Sequence, residues 1–270
     1  MRLTFLGVRG STPATGAPFV RYGGDTSCVG VLLGDGPVPE IVLDAGTGLR
    51  NLAARCGGRP FDGTFLLTHL HWDHVQGLPF FPPADRADAR VEVCLPAQDD
   101  REGADLLGQL MSPPAFPITP GELGGAWSFH AVDAGPVPIA TQLGASVRAV
   151  DVTHKGGRTF GFVLAADGRR VAYVPDHAPA LGVTEELVDE LRGVDLLVHG
   201  GQMVERERAF ADAYGHATIS DALHLAERVG AGALVLTHHA PSRTDEQLDE
   251  LASSLPNGVR LAYQGLEVTV

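Results

Sequence analysis

The sequence predicts an α/β protein in which two β-sheets pack together and helices cover their outer faces. Short β-rich runs recur along the whole chain, from RLTFLGV at the start to LAYQGLEVTV at the end. Helical patterns separate these runs, without the strict alternation that a single parallel sheet requires. Hydrophobic residues make up 44% of the 270 positions, which is enough to build a substantial core.

The β-rich runs can be followed in order along the chain. After RLTFLGV come SCVGVLLG, EIVLDAG, GTFLLTH, RVEVCLP, ASVRAVDVTH, RTFGFVLAADGRRVAYVPD, DLLVHGG, ALVLTHH and GVRLAYQGLEVTV. The two halves of the longest run are expected to form a hairpin around AADGRR, because Asp-Gly supplies the positive-φ residues of a tight turn.

Helices are predicted between the strands, over residues 47–56, 100–111, 184–192, 218–229 and 245–254. The clearest is HATISDALHLAERVG. It starts with the capping pair Thr218 and Asp221 and ends at Gly230. Its predicted apolar face consists of Ile219, Ala222, Leu223 and Ala226. His224 falls off that face and is expected to contact solvent.

No low-complexity segment or charge run divides the chain, so we predict a single domain spanning residues 1–270. The least regular part is 96–125, which contains MSPPAFPITPG. Its prolines disfavour regular structure. Long irregular segments in compact domains are often functional, so 96–125 is either a solvated connection or a lid over the functional site.

Composition excludes several classes of protein. The net charge of -13 leaves no broad basic face, so nucleic acid is not an expected partner. No apolar run reaches the roughly 18 residues of a membrane span, and MRLTFLGVRG lacks a signal-peptide apolar region. Cys28, Cys56 and Cys94 form no C-x-x-C pair. We therefore expect reduced thiols in a cytoplasmic protein.

A dense group of metal-binding side chains lies in LTHLHWDH, residues 67–74. His69 and His71 stand two positions apart in an extended chain, so their side chains point the same way. Asp73 and His74 follow on a predicted turn. Imidazole and carboxylate groups together suit zinc, with manganese or iron as alternatives.

Four residues cannot complete the coordination shells of two metals. Further candidates stand at the ends of apolar strands or beside a helix start: His154, Asp176, His199, His216, His238 and His239. Any one of these histidines alone is more typical of a hydrogen-bonded structural residue. Together they could be gathered into one cleft by a single sheet edge.

Several motifs of the sequence resemble those of a known protein family. THLHWDH resembles the signature of the metallo-β-lactamase superfamily. VLDAGTG, YVPDH, GHAT and LVLTHHAPSR resemble the later motifs of its phosphodiesterase branch, which includes RNase Z and small cyclic-nucleotide phosphodiesterases. The resemblance implies a four-layer αββα sandwich, with two mixed sheets and outer helices.

The resemblance also implies a set of ligands for two divalent metal ions. The first ion would be bound by His69, His71 and His154. The second would be bound by Asp73, His74 and His238, with Asp176 bridging the two ions. His238 occupies the histidine of the family's L-T-H motif, and His239 is the alternative ligand at that place.

Two metal ions would share a hydroxide that attacks phosphorus or a carbonyl carbon. Catalytic roles are assigned to Asp73 and His216, with His216 donating a proton to the leaving oxygen. Alternatively, His216 only forms a hydrogen bond at a helix start. Asp44 is expected to orient a ligand histidine, or else to be an ordinary turn residue. Five cations could bind phosphate, although a solvated surface position is the alternative for each: Arg9, Arg21, Lys155, Arg158 and Arg243.

The sequence departs from RNase Z at one motif. RNase Z carries H-E-A-T after a strand that resembles DLLVH, whereas here His199 is followed by Gly200, Gly201 and Gln202. No long insertion resembles the tRNA-gripping arm of RNase Z. We therefore expect a cytoplasmic phosphodiesterase acting on a small phosphodiester, cyclic diesters included. The alternatives are a thioester or lactone hydrolase, and a non-hydrolytic protein resembling the B protein of the pyrroloquinoline quinone pathway. Members of the family are commonly homodimers, so the resemblance also implies a homodimer.

Overall fold

Two seven-stranded sheets form the centre of the protein, in a computed structural model that describes residues 1–138 and 144–270. The first sheet contains β1 (Arg2–Gly7), β2 (Cys28–Leu32), β3 (Ile41–Leu43), β4 (Asp62–Leu66), β5 (Arg90–Pro96), β6 (Ala126–Val132) and, at its other edge, the last strand of the chain (Glu267–Thr269). The second contains β7 (Gly135–Pro136), β8 (Ser146–Val152), β9 (Thr159–Ala166), β10 (Arg169–Val174), β11 (Leu196–Gly200), β12 (Leu234–Thr237) and β13 (Val259–Leu261).

Both sheets are mixed. In the first, β14 (the last strand), β1, β2 and β3 pair antiparallel, and β3 to β6 pair in parallel. In the second, β7 to β10 pair antiparallel, and β10 to β13 pair in parallel. The parallel strands end at a common edge of each sheet, and loops at such edges are the usual place for functional groups.

Seven α-helices lie among the described residues: α1 (Leu49–Cys56), α2 (Trp72–Val75), α3 (Gly103–Gly108), α4 (Glu185–Leu191), α5 (Arg208–Tyr214), α6 (Ile219–Val229) and α7 (Asp245–Ser254). All five helices expected from the sequence are present, with ends shifted by a few residues. Helices α2 and α5 were not predicted from the sequence. On α6 the fully buried residues are Ala222, Leu225 and Val229, so its buried face is rotated slightly from the predicted one, and His224 is exposed as expected.

Three apolar clusters define four layers. One lies between the sheets and includes Phe5, Phe160 and Tyr173. A second packs α1 and α3 against the outer face of the first sheet, and a third packs α4 and α6 against the outer face of the second sheet. The predicted αββα sandwich with two mixed sheets is therefore confirmed.

The predicted hairpin is also present. Strands β9 and β10 pair antiparallel around Asp167 and Gly168, whose φ values of 52° and 73° fit a tight turn. The segment 96–125 is more ordered than its prolines suggested, because it contains α3 and a single 3₁₀ turn at Pro120–Glu122. That residues 1–270 form one domain stays a prediction. In the described part of the chain, no helix is both long enough and apolar enough to cross a membrane.

Candidate metal centre

Side chains from both sheets meet at one edge of the sandwich. His69 and His71 follow β4, and α2 then carries Asp73 and His74. Three more candidates follow strands of the second sheet: His154 after β8, Asp176 after β10 and His238 after β12. The strand ends predicted from the sequence therefore converge, although they are far apart along the chain.

The three histidines expected to bind a first metal form a compact group. Each of His69, His71 and His154 offers a ring nitrogen, and these nitrogens lie within 4.8 Å of one another. His71 Nδ1 is 2.8 Å from His69 Nε2 and 3.3 Å from His154 Nε2. Ring nitrogens that face one another in this way need either a proton or a metal ion between them.

A second group lies beside the first. Asp73, His74 and His238 offer ligand atoms that also lie within 4.8 Å of one another. His238 Nε2 is 3.1 Å from Asp73 Oδ2 and 3.3 Å from His74 Nε2. All three residues are buried. This is the set of residues that the family resemblance implied for a second metal.

Asp176 lies between the two groups. Its Oδ2 atom is 2.8 Å from His74 Nε2, 3.2 Å from His238 Nε2 and 3.8 Å from His69 Nε2. Although buried, this oxygen has no hydrogen-bond partner of acceptable geometry. A buried carboxylate oxygen surrounded by ring nitrogens but not hydrogen-bonded to them fits coordination of a cation. The residues present therefore fit divalent metal ions.

The charges of these groups favour cation binding. Burial, reinforced by His74, holds the pKa of His69 well below its usual range, and burial lowers the pKa of His154 to about 4. Burial would raise the pKa of Asp176, but the neighbouring His238 and His216 hold it well below the usual range. Neutral imidazoles and ionised carboxylates are the protonation states that metal ligands require.

His74 differs from the other histidines. Burial opposes its protonation, but the carboxylates of Asp73 and Asp44 raise the pKa of His74 well above its ordinary value. A proton on His74 thus compensates buried negative charge in the metal-free protein. A divalent cation would replace that proton and compensate the same charge.

Hydrogen bonds to the far side of the rings orient the ligand nitrogens. His154 Nδ1–H donates to the Gly215 carbonyl at 2.7 Å, and His74 Nδ1–H donates to Asp44 Oδ2 at 2.8 Å. His238 Nδ1 is 3.2 Å from Gln202 Oε1. In each case the other ring nitrogen, Nε2, is left to face the centre, as in many metal sites.

Asp44 performs the orienting role that the sequence suggested. Besides its contact with His74, its carboxylate accepts hydrogen bonds from the Thr68 amide and hydroxyl and from the Tyr173 hydroxyl. Asp44 adopts a φ of 59°, and Ser11 and His238 also have positive φ, at 64° and 58°. Backbone strain of this kind concentrates at functional sites.

His216 lies next to the two groups. Its Nδ1 is 3.0 Å from Asp176 Oδ1, and its ring centroid is 5.4 Å from that of His154. His154, Asp176 and His216 also offer three ligand atoms within 4.8 Å of one another. His216 is therefore close enough either to exchange a proton in the cleft or to assist metal binding.

Two other candidate histidines do not reach the centre. His239 turns away, and its Nε2–H donates to the Ala262 carbonyl at 2.8 Å. His199 lies behind the site, where its Nε2 is 3.2 Å from His177 Nδ1. The structure thus brings His238, and not His239, into the group with Asp73 and His74.

The five cations considered for phosphate binding are engaged elsewhere. The expectation of a solvated surface position is wrong for Arg9, which is 0% exposed and donates to the carbonyls of Gly23, Ala240 and Arg243. It is also wrong for Arg243, whose side chain is buried. The four cations other than Arg9 pair with acidic or carbonyl partners: Arg21 with Asp249, Lys155 with Ala213, Arg158 with Asp151 and Asp133, and Arg243 with Glu207. None of the described residues that line the metal cleft is a lysine or arginine.

The metal cleft has a volume of about 410 Å³, and its walls include Ser11, Trp72 and Leu110 beside the candidate ligands. Trp72 borders the cleft and is 70% exposed. Ser11 was not predicted individually. Its amide donates to Asp73 Oδ2 at 2.7 Å, and its hydroxyl accepts from Gln202 at 3.0 Å.

One sequence signal does point to the Ser11 loop. It is GVRGSTPATG, a glycine-rich stretch that contains Ser11. A Cβ on Gly10 would lie 2.3 Å from the His238 ring, so only glycine allows the loop to approach this closely. Gln202 had no comparable signal.

Comparisons with known proteins agree with this geometry. A family model described as a beta-lactamase superfamily domain matches residues 40–239. The Ribonuclease Z of Haloarcula marismortui is 26% identical over 331 aligned positions, which cover 99% of this chain and 96% of that protein.

Solved structures share the fold over the whole chain. A diphosphatase from the PhnP family superposes with a TM-score of 0.74 at 21% identity, covering 100% of this chain and 97% of that one. The Zn(2+)-bound PqqB of Methylobacterium extorquens superposes with a TM-score of 0.70 at 20% identity, covering 100% of both chains. The chain therefore belongs to the β-lactamase superfamily, has the metallo-β-lactamase fold and is a metal-dependent hydrolase.

Proposed function

We propose that this hydrolase uses two divalent metal ions to cleave a small phosphodiester, cyclic diesters included. The observation that carries the proposal is the position of Asp176 between two groups of three ligand residues. A carboxylate so placed can bridge two ions, whereas a single ion would leave one of the groups without a function.

In this proposal His69, His71 and His154 bind the first ion, and Asp73, His74 and His238 bind the second. Zinc is the expected metal, because nitrogen and carboxylate ligands in groups of three, with an open position, are typical of catalytic zinc. When bound, two such ions would supply an activated water near neutral pH and Lewis acidity toward a phosphoryl oxygen.

The chain's own residues would complete the reaction. His216 borders the cleft, so it can donate a proton to the leaving oxygen. Asp176 Oδ1 would hold His216 in place through its contact with Nδ1. The Ser11 amide would hold the Asp73 carboxylate in one orientation through its 2.7 Å hydrogen bond. Asp73 and His216 are thus the residues to which we assign catalysis.

The charge of the cleft favours a diester. Because no described lining residue is a lysine or arginine, the negative charge of a substrate would be compensated by the metal ions alone. A phosphodiester carries one negative charge at neutral pH, whereas a phosphomonoester carries nearly two. We therefore expect diesters to be better substrates than monoesters.

Hydrolysis of bis-p-nitrophenyl phosphate by the zinc-loaded protein tests the proposal. Asp176→Asn keeps the shape of the side chain but removes the bridging charge, and it should lower both the metal content and kcat/KM, the latter by about 100-fold or more. His224→Ala is the matched control, because His224 is exposed on α6, away from the cleft. Full activity of Asp176→Asn, or a metal content of one ion per wild-type chain, would contradict the two-metal proposal.

RNA processing is a second candidate, because the curated relatives include proteins named Ribonuclease Z. These names count against the expectation that nucleic acid is not a partner. Two observations still favour a small substrate. The net charge is -13, and a Cβ on Gly200 would lie 2.1 Å from the Pro175 carbonyl oxygen. The glutamate that RNase Z carries at this place therefore cannot be accommodated without a backbone shift. Cleavage of a precursor tRNA faster than of the small diester would reverse this preference.

The remaining alternatives give different results in the same assays. A thioester or lactone hydrolysed much faster than any phosphodiester would favour carbonyl chemistry on the same residues. A metal content near one ion per chain, with hydrolysis of neither phosphodiesters nor carbonyl esters, would favour a non-hydrolytic role resembling that of the B protein of the pyrroloquinoline quinone pathway. We also propose a cytoplasmic location and a homodimer, the latter testable by light scattering.

A further inference from the structure

A second cavity opens beside the metal cleft. It has a volume of about 260 Å³ and is enclosed by α2, the residues that follow it, and the 96–125 segment. Phe80 and Phe116 form one wall, with ring centroids 5.7 Å apart in an edge-to-face arrangement. Concave surface pockets with apolar walls are typical of ligand sites.

The lining of this apolar pocket has a uniform chemistry. Among its described residues none is ionisable, and most side chains are aliphatic or aromatic, for example Leu107, Met111 and Phe129. Such a surface cannot compensate a charge, but it gains free energy when it contacts an apolar group. An apolar cavity of about 150 Å³ is large enough for benzene, so this pocket can hold a group of one ring.

The apolar pocket and the metal cleft are adjacent and share part of their walls. Trp72 and Leu110 line both of them. Trp72 and Phe80 are also 70% and 67% exposed, although both are large apolar side chains. Exposed aromatic residues that border a cavity are typical of a site completed by a ligand.

Building on the proposed function, we propose that the substrate is a phosphodiester with one uncharged apolar substituent, of about the size of a single ring, which binds in the apolar pocket while the phosphate lies in the metal cleft. The substituent that enters the apolar pocket is the one retained on phosphorus. His216, the proposed donor to the leaving oxygen, borders the cleft together with Ser11, and both also line a separate cavity that contains Arg206 and Tyr214. The leaving group therefore departs on that side.

This assignment gives the 96–125 segment a specific role. Leu107, Leu110 and Met111 come from α3 and the residues after it, and Ala115 and Leu123 come from the proline-rich part. The segment is thus a wall of the substrate site and determines which substituent is accepted. A lid that only excludes water would not need a cavity behind it.

Two diesters with the same leaving group test the proposal: methyl p-nitrophenyl phosphate and cyclohexyl p-nitrophenyl phosphate. The wild-type protein should prefer the cyclohexyl ester in kcat/KM. Ala115→Trp places an indole in or across the apolar pocket, and it should lower the cyclohexyl-to-methyl ratio by about tenfold, mainly through KM. Leu123→Trp, on another wall, should have the same effect if Ala115→Trp fails to fold.

Ala209→Trp is the matched control. Ala209 lines the cavity on the His216 side, so the same substitution there can alter both rates but should leave their ratio unchanged. An unchanged ratio in both pocket variants, or an equal fall in Ala209→Trp, would overturn the proposal. A ratio that changes with protein concentration would also overturn it, because a second copy of the chain would then cover Trp72 and Phe80.

Binding of fluorobenzene provides a readout that does not depend on catalysis. Its ¹⁹F resonance should broaden with the wild-type protein and with Ala209→Trp, but not with Ala115→Trp or Leu123→Trp. No broadening with the wild-type protein would contradict the apolar pocket as a binding site. Fluorobenzene binding without hydrolysis of either diester would instead contradict the phosphodiesterase function on which the proposal rests.

Discussion

The carboxylate of Asp44 connects the metal centre to the core between the sheets. It receives hydrogen bonds from Thr68 and Tyr173 and is 2.8 Å from His74 Nδ1, while all these atoms are buried. The orientation of the His74 ring therefore depends on a residue that cannot reach the metal itself. In metal sites such partners are worth about a factor of 10–100 in affinity.

We predict that Asp44→Asn weakens the proposed second metal by about 10–100-fold, because an amide retains the shape but not the charge of the carboxylate. The affinity is measured by competition with a chromophoric zinc chelator. Tyr173→Phe is the control, since it removes a single hydrogen bond to Asp44 and should weaken binding much less. Equal affinities of Asp44→Asn and the wild type would show that His74 needs no such partner.

The residues that converge on the metal centre were predictable from the sequence, whereas most of their partners were not. His69, His71, Asp73 and His74 stand in one motif, and the distant candidates follow apolar strands whose ends must meet at a sheet edge. Ser11, Gln202 and the Gly215 carbonyl act through contacts between loops that are remote in sequence. No local pattern specifies such contacts, apart from the glycine that the Ser11 loop requires.

At the scale of elements, α6 positions His216. Thr218 caps this helix, accepting a hydrogen bond from the Asp221 amide, while the Asp221 carboxylate accepts from the Thr218 amide. Arg208 on α5 donates to Asp221 and Thr218, so α5 and α6 are joined at the same point. His216 lies in the short turn between these helices, and its position depends on this junction.

We predict that Thr218→Ala lowers the free energy of unfolding by about 1 kcal/mol, which is the usual value of an N-cap. It should also lower kcat, because the turn that carries His216 loses its anchor. Thr244→Ala is the matched control, since Thr244 caps α7 with the same type of capping box, away from the cleft. Denaturant unfolding and steady-state kinetics separate the two effects. Equal kcat values of the two variants would contradict the link between the cap and His216.

Helices were predictable from the sequence only where they have an apolar face. α6 buries Ala222, Leu225 and Val229 at helical spacing, and α7 buries Leu248. α5 buries only Ala211, so its sequence carries little periodic signal. α2 has four residues, which is about one turn and too short for any period to be recognised. The unanticipated α2 is nevertheless the element that turns Asp73 and His74 toward the centre.

At the scale of the whole molecule, the buried Arg9 joins the N-terminal loop to the segment after β12. Its guanidinium donates to the carbonyls of Ala240 and Arg243, and its Nη2 is 3.7 Å from Asp245 Oδ1. Asp245 also accepts from the Arg21 and Tyr22 amides. The loop that carries Ser11 is therefore fixed to the second sheet by a charge with no access to solvent.

We predict that Arg9→Met lowers the free energy of unfolding by about 3–5 kcal/mol, because it leaves Asp245 without its buried cation and three buried carbonyls without a donor. Arg21→Met is the control. Arg21 also approaches Asp245, but its side chain is 53% exposed, and its loss should not be resolvable. Chemical denaturation of both variants checks this prediction. A similar stability of the two variants would show that the buried ion pair contributes little.

The metal centre itself spans the sandwich. Some of its candidate ligands follow β4 of the first sheet or lie on α2, whereas His154, Asp176 and His238 follow strands of the second sheet. Bound metal would therefore connect the two sheets at the edge where their strands end. Because a ligand that binds only the folded state stabilises it by mass action, the effect on stability should be large.

We predict that a strong chelator lowers the Tm of the zinc-loaded protein by about 5–10 °C. Metal at 100 times its Kd contributes about 2.7 kcal/mol, and for a chain of this size each kcal/mol corresponds to roughly 2–4 °C. Differential scanning calorimetry with and without added zinc measures the shift. The Asp176→Asn variant should respond much less, since it lacks the carboxylate shared by both ligand groups. An equal shift in this variant would show that the metal responsible for the stabilisation binds elsewhere.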